Sequence, residues 1–191
     1  MGVGAEVRRY SQEVMLKTVR RTAGAVLLVL VSAGPALAAK RAPDPAFKTL
    51  GGESRKLSAM RGEVVVVNFW ATWCGPCQEE LPRLSQMAAS YSGKPVHFVF
   101  VSIDAPKDRA RIPETLARFH VDLESWVGAD TDTLDRFGLG NIVPGTAVLD
   151  SEGEIVARIM GEAREGDVRG AVDWLLDGKT GPSPTPVTKR Y

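Results

Sequence analysis

The fold of this 191-residue chain is decided by the stretch VVVVNFWATWCGPC at residues 64–77. Residues 64–69 are mostly β-branched and apolar, which is typical of a buried central strand. Apolar side chains then recur at helical spacing over residues 74–90, on the side that carries Leu81, Leu84 and Met87. The pattern therefore predicts two cysteines, Cys74 and Cys77, where a buried strand turns into the start of a helix.

The rest of the chain alternates between strand-like and helix-like segments. Further strands are predicted over 96–103, 125–127, 146–150 and 154–160, and further helices over 112–119, 131–137 and 167–176. A small hairpin is predicted over residues 47–57. Thr131 or Asp132 is expected to cap the helix predicted over 131–137. We therefore predict one α/β domain.

The domain is expected to span residues 46–177, after a linker at 39–45. Residues 178–191 hold three prolines and few apolar side chains, so a disordered tail is predicted there.

The composition excludes several classes of protein. Lys and Arg total 24 and Asp and Glu total 23, so the net charge of +1 argues against a nucleic-acid binder driven by phosphate contacts. Two cysteines are too few for a four-thiolate zinc site, and the two histidines lie far apart in the sequence.

The N-terminal segment resembles an export signal. Basic residues precede an uncharged apolar run at 23–31, and a small-residue cleavage pattern ends at Ala38. We predict a signal peptide over 1–38 and an extracytoplasmic domain. The alternatives are an uncleaved membrane anchor over 23–39 and a translation start at Met15.

The two cysteines are the candidate reactive groups. A helix N-terminus carries free N–H groups and partial positive charge, which favour a thiolate on the first cysteine. Cys74 is then the exposed nucleophile and Cys77 the inner, resolving thiol of a pair that cycles between dithiol and disulfide. The alternatives are an inert disulfide and half of a zinc or copper site, for which His97 and His120 are the remaining soft ligands.

Residues 66–77 resemble the active-site strand and turn of the thioredoxin superfamily, and more narrowly its TlpA/ResA-like thiol–disulfide oxidoreductases. The likeness extends over residues 42–176 and includes Ala42-Pro43-Asp44, Glu80-Leu81-Pro82 and Val143-Pro144-Gly145-Thr146. It implies a thioredoxin-like fold: a central mixed sheet flanked by helices, with an N-terminal hairpin and an inserted helical segment around 106–127. It implies no cofactor other than the cysteine pair.

The resemblance also implies a substrate-binding face. Pro144 matches the family's cis-proline, which stands opposite the cysteines and lets the backbone of Val143 pair with an extended substrate segment. The alternative is an ordinary loop proline, and Gly145 departs from the threonine that the family often has there. The other expected members of this face are Trp73, Gly75 and Pro76.

Besides the cysteine pair and the substrate-binding face, the family's chemistry requires a proton carrier. Thioredoxins place an aspartate six residues before the first cysteine, where this chain has Asn68, which cannot titrate. The TlpA/ResA-like pattern offers Glu80 instead, one helical turn beyond Cys77. Its burial would make it a general base and acid, whereas the alternative is a solvated glutamate near a helix start.

The resulting hypothesis is a monomeric, extracytoplasmic protein disulfide reductase. By resemblance, its substrates are protein cysteines awaiting haem attachment or copper delivery, and a membrane electron-donor protein re-reduces the pair. Three alternatives stay open: a disulfide-donating oxidase, a thiol peroxidase, which would want Thr or Ser where Ala71 stands, and a non-enzymatic copper chaperone.

Overall fold

A computed structural model describes residues 41–190 of the chain. Its strands are β1 (Phe47–Lys48), β2 (Ser54–Arg55), β3 (Val64–Trp70), β4 (Val96–Ser102), β5 (Ser125–Val127), β6 (Gly145–Leu149), β7 (Ile155–Gly161) and β8 (Val187–Arg190). Its α-helices are α1 (Gly75–Ser90), α2 (Ile112–Arg118), α3 (Thr131–Arg136) and α4 (Glu165–Leu176). Short 3-10 helices cover Leu57–Met60 and Arg109–Arg111.

Within this range the strands form one mixed sheet in the order β2-β1-β5-β4-β3-β6-β7-β8. Strand β3 runs parallel to β4 and antiparallel to β6. The prediction of an α/β domain with a mixed sheet, an N-terminal hairpin and a helical insertion is confirmed. The hairpin is shorter than expected, since β1 and β2 pair over only two residues each.

Strand β3 is the centre of the core, and all seven of its residues are buried. Because side chains alternate across a strand, Val64 and Val66 face the cluster that includes α1 and α4, while Val65 and Val67 face the opposite cluster with α3. A strand covered on both faces favours apolar side chains on both sides, which explains the run of four valines; Asn68 is the buried polar exception.

The prediction of disorder over residues 178–191 is wrong at its end, because Val187–Arg190 forms strand β8, parallel to β7. Pairing at a sheet edge uses main-chain hydrogen bonds and needs few apolar side chains, so composition does not reveal it. The Arg190 guanidinium also pairs with the Asp167 carboxylate on α4, with an Nη2–Oδ1 distance of 2.9 Å.

The cap of α3 also differs from the prediction. Asp130, not Thr131 or Asp132, is the N-cap, and its carboxylate accepts a hydrogen bond from the Thr133 N–H at 2.8 Å. The predicted signal or anchor at 1–38 and the first two residues of the predicted linker lie outside the described residues. Between residues 41 and 190, no helix is both long enough and apolar enough to cross a membrane.

Candidate active site

The two cysteines form a disulfide at the N-terminus of α1, with their Cα atoms 5.3 Å apart. Cys74 is the N-cap, and its Sγ accepts a hydrogen bond from the Cys77 N–H at 3.2 Å. Pro76 lies in the first turn, where its missing N–H costs no helical hydrogen bond. This geometry would stabilise a negative charge on the Cys74 sulfur once the disulfide is reduced.

Both cysteine residues are buried in the disulfide form, and Cys74 is slightly less buried than Cys77. Cys74 is 5% exposed and Cys77 is fully buried, while the neighbouring Trp73 is 62% exposed. In the disulfide form Cys74 is less exposed than the sequence led us to expect. The roles of attacking thiol for Cys74 and resolving thiol for Cys77 stay predictions.

The loop before Cys74 is held by a buried carboxylate that sequence reasoning missed. Asp104 accepts hydrogen bonds from the Thr72 N–H at 3.0 Å and from the Thr72 hydroxyl at 2.7 Å. The Ser102 hydroxyl donates to the same carboxylate at 2.7 Å. The available signal was the position of Asp104 just after β4, since neighbouring parallel strands β3 and β4 end at the same edge of the sheet.

The Val143–Pro144 peptide bond is cis. Because β6 is antiparallel to β3 with Gly145 opposite Phe69, the residues before Gly145 lie beyond the end of β3 that leads to Cys74. The Pro144 carbonyl accepts from the Gly161 N–H at 2.9 Å. Ile142, which the sequence analysis did not single out, is 43% exposed beside this bond.

Glu80 is fully buried, so the alternative of a solvated surface glutamate is wrong. Its Oε1 accepts a hydrogen bond from Asn68 Nδ2 at 2.6 Å, and its Oε2 accepts one from the Ala163 N–H at 2.6 Å. Three separate elements therefore meet at the carboxyl group: α1 carries it, β3 supplies the amide, and the segment after β7 supplies the backbone donor.

Burial raises the pKa of Glu80 from 4.5 to about 7, because a carboxylate loses hydration in the interior. The hydrogen bonds from Ala163 and Asn68 oppose this rise, and the nearby charge of Glu162 adds to it. The positive charge of Arg83, which is ion-paired with Glu162, lowers the pKa of Glu80. A group with this pKa exchanges a proton readily near neutral pH.

The histidines that could have completed a metal site are not at the cysteine pair. His97 is the second residue of β4, and its Nε2 lies 2.9 Å from Glu63 Oε2. This contact is at the end of β3 that is remote from Cys74. His120 follows α2 with a left-handed backbone, at φ +54°. Across residues 41–190, no three His, Cys, Asp or Glu side chains gather as metal ligands would.

The fold and the redox-capable cysteine pair together define a thiol–disulfide oxidoreductase of thioredoxin-like fold. The family model for Redoxin matches residues 37–175, and the chain belongs to that family.

Relatives and solved structures agree with this class. The chain is 28% identical to the thiol-disulfide oxidoreductase ResA of Geobacillus thermodenitrificans over 67% of this chain and 72% of the relative. It is 24% identical to ResA of Bacillus subtilis over 73% of this chain and 76% of the relative. The thioredoxin domain of a thiol-disulfide oxidoreductase from Bacteroides vulgatus superposes with a TM-score of 0.58 at 25% identity, over 71% of this chain and 94% of that chain.

Proposed function

We propose that the protein is an extracytoplasmic reductase of protein disulfides, with Cys74 as nucleophile, Cys77 as resolving thiol and Glu80 as proton carrier. The observation that carries the proposal is the buried carboxyl group of Glu80, which lies on α1 one turn beyond the Cys74–Cys77 disulfide. An inert disulfide with a structural role has no need of a buried group that titrates near neutral pH.

The reaction begins when the Cys74 thiolate attacks one sulfur of a partner's disulfide. A mixed disulfide forms, and the partner's other sulfur leaves as a thiolate that takes up a proton. Cys77 then gives its proton to the Glu80 carboxylate, and the Cys77 thiolate attacks the Cys74 sulfur. The partner's second sulfur leaves as a thiolate and takes up a proton, so the partner is released as a dithiol and the protein is left with the Cys74–Cys77 disulfide. Two electrons have moved to the partner, and Glu80 still holds the proton that came from Cys77.

Glu80 matters at the second step, because a buried thiol loses its proton only to a nearby base. With its pKa raised to about 7 by burial, Glu80 is present in both forms near neutral pH, so it can accept this proton and later release it.

The partner is expected to lie on the exposed apolar side chains that flank the disulfide. Trp73 and Ile142 are 62% and 43% exposed, and they precede Cys74 and the Val143–Pro144 bond respectively. The backbone of Val143 would pair with an extended partner segment, as in strand addition. Gly75 and Pro76, both exposed at the start of α1, leave room for the partner's chain.

The location and the partners are part of the same proposal. The basic and apolar segment before Ala38 supports export, and the reducing direction is favoured by the Gly-Pro pair between the cysteines, which resembles that of thioredoxin. We propose that the protein acts as a monomer, that its substrates are cysteines awaiting haem attachment or copper delivery, and that a membrane protein supplies its electrons.

The midpoint potential of the Cys74–Cys77 couple tests the direction of the reaction. A titration of the purified protein against glutathione or dithiothreitol is expected to give a value near that of thioredoxin, about −270 mV. A value near about −120 mV would assign the protein to the disulfide donors instead. The absence of a two-electron transition would rule out redox catalysis.

Trapping experiments test the roles of the two cysteines. Cys77→Ser should accumulate mixed disulfides through Cys74, since the resolving thiol is gone. A reductant should cleave these disulfides and release the partner. Cys74→Ser is the matched control and should trap no partner. Equal trapping by both variants would show that the roles are assigned wrongly.

A further inference from the structure

Asn68 carries a buried polar atom with no partner. Its side chain is 1% exposed in the centre of β3, and its Oδ1 accepts no hydrogen bond from any residue between 41 and 190. The other end of the same amide is fully used, since Nδ2 donates to Glu80 Oε1 at 2.6 Å and to Thr146 Oγ1 at 2.9 Å. Buried carbonyl oxygens are normally paired, so this one calls for a physical explanation.

The observed arrangement suits only one protonation state of Glu80. A carboxylate accepts hydrogen bonds, and Asn68 Nδ2 supplies one. The proton of a protonated Glu80 would find no acceptor at either of its observed partners, because Asn68 Nδ2 and the Ala163 N–H are both donors. The Ala163 N–H bonds to the other carboxyl oxygen and can stay in place in both states.

Reversing the amide about its terminal bond removes this conflict. The two ends of an asparagine amide have nearly the same shape, so Oδ1 can take the position of Nδ2 without repacking β3. It would then accept from the protonated Glu80 and from the hydroxyl of Thr146. A threonine hydroxyl can either accept or donate, so Thr146 suits both orientations, and its position opposite Asn68 in β6 keeps it in reach.

We propose that the Asn68 amide reverses with each proton that Glu80 takes up or releases, presenting Nδ2 to the carboxylate and Oδ1 to the acid. The proposal rests on the proposed role of Glu80 and makes Asn68 and Thr146 positioning residues for it. The amide supplies a matched partner to the carboxyl group in each protonation state. The reversal moves the unpaired position from Oδ1 to Nδ2, and the hydrogen bond to the protonated acid offsets that cost.

The charged and titratable groups around Glu80 come from two elements. Cys74, Cys77 and Arg83 lie on or at the start of α1, and Glu162 lies in the segment after β7. The cysteines do not titrate while they form the disulfide. The oxidised protein therefore isolates the Glu80–Asn68 pair from the thiol chemistry.

The direct test is an NMR pH titration of the oxidised protein. The carboxyl carbon of Glu80 reports its protonation, and nuclear Overhauser effects from the Asn68 amide protons to Thr146 and to the Glu80 methylenes report the orientation of the amide. We expect the Overhauser effects that are seen at a pH above the titration midpoint of Glu80 to be lost at a pH below it. The Overhauser effects and the Glu80 carboxyl carbon signal should change with the same pH midpoint.

Two other results would overturn the proposal, and they differ. If Glu80 titrates while the amide keeps its contacts, the reversal is wrong and the proton carrier stands. If Glu80 does not titrate between pH 5 and 9, the role of Glu80 fails and the reversal fails with it.

A variant series provides the second test. Asn68→Leu keeps a side chain of similar size and removes both ends of the amide. Hydrogen bonds to a charged group are about twice as strong as neutral ones, so we expect the Glu80 midpoint to rise by about one pH unit. Ser125→Ala is the matched control, since this equally buried hydroxyl bonds to Trp70 Nε1, and it should leave the midpoint unchanged. An unchanged midpoint in Asn68→Leu would show that Asn68 does not favour the carboxylate over the acid, and would overturn its role as a positioning residue for Glu80.

Discussion

Replacing Glu80 with Gln should change how the stability of the oxidised protein depends on pH. Glu80 is fully buried, and its burial raises its pKa from 4.5 to about 7. In the unfolded chain the group would titrate near the ordinary value, so the folded state binds this proton more tightly. Stability from Glu80 is therefore fully present below pH 4.5 and is lost as the pH rises through about 7. Glutamine has nearly the same size and does not titrate.

The size of the effect follows from the two pKa values. A difference between 4.5 and about 7, at about 1.4 kcal/mol per pH unit, corresponds to about 3 kcal/mol of unfolding free energy. The assay is urea unfolding of the oxidised wild type and of Glu80→Gln at pH 4 and pH 8. We expect the stability of the variant relative to wild type to increase by about 3 kcal/mol across this interval.

The neighbouring residue supplies the matched control. Glu79 lies on the same helix but is exposed, and Glu79→Gln should follow the wild-type pH dependence. Parallel pH dependences for wild type and Glu80→Gln would refute the reasoning, because they would show that the buried carboxyl group does not exchange a proton in this range.

Four further substitutions test the site, the core beside it and the sheet edge. Trp73→Ala should change the unfolding free energy by less than about 0.5 kcal/mol, because the ring is 62% exposed. The same variant should raise the KM for a protein disulfide. Trp70→Ala removes a fully buried ring and should lower the unfolding free energy by about 3–5 kcal/mol. An unchanged KM in Trp73→Ala would count against the proposed docking face. Asp104→Ala should destabilise the protein by about 3 kcal/mol in urea unfolding, since buried donors lose their acceptor; a cost under about 1 kcal/mol would contradict this. Gly161→Ala places a Cβ 2.1 Å from the Arg190 carbonyl oxygen, so amide exchange in β8 should accelerate, and unchanged exchange rates would refute the close approach.

The part of the site that lies within one stretch of chain was predictable from the sequence. The strand β3, the turn and the start of α1 follow one another, and each depends on local preferences: β-branched residues for a buried strand, and a proline tolerated in the first helical turn. The cis bond before Pro144 was expected only through resemblance to a family, because an X–Pro sequence is compatible with either isomer.

The burial of Glu80 was decided by tertiary structure. Glu80 and Glu79 are adjacent and chemically identical, yet one is fully buried and the other exposed, because α1 packs one face against the sheet. The partners of Glu80 come from 12 residues before it and 83 residues after it, so no local pattern could name them. Asp104 reaches Thr72 across 32 residues for the same reason.

The amino-acid sequence by itself determined the strand–turn–helix unit that carries the cysteines, because backbone preference and apolar periodicity act over a few residues. Only the tertiary structure decided the pairing of β8 with β7, the support of the active-site loop by Asp104 and the burial of Glu80 against Asn68. These features depend on which faces and edges meet when the sheet closes, and desolvation and hydrogen bonding between distant segments have no counterpart in the local sequence.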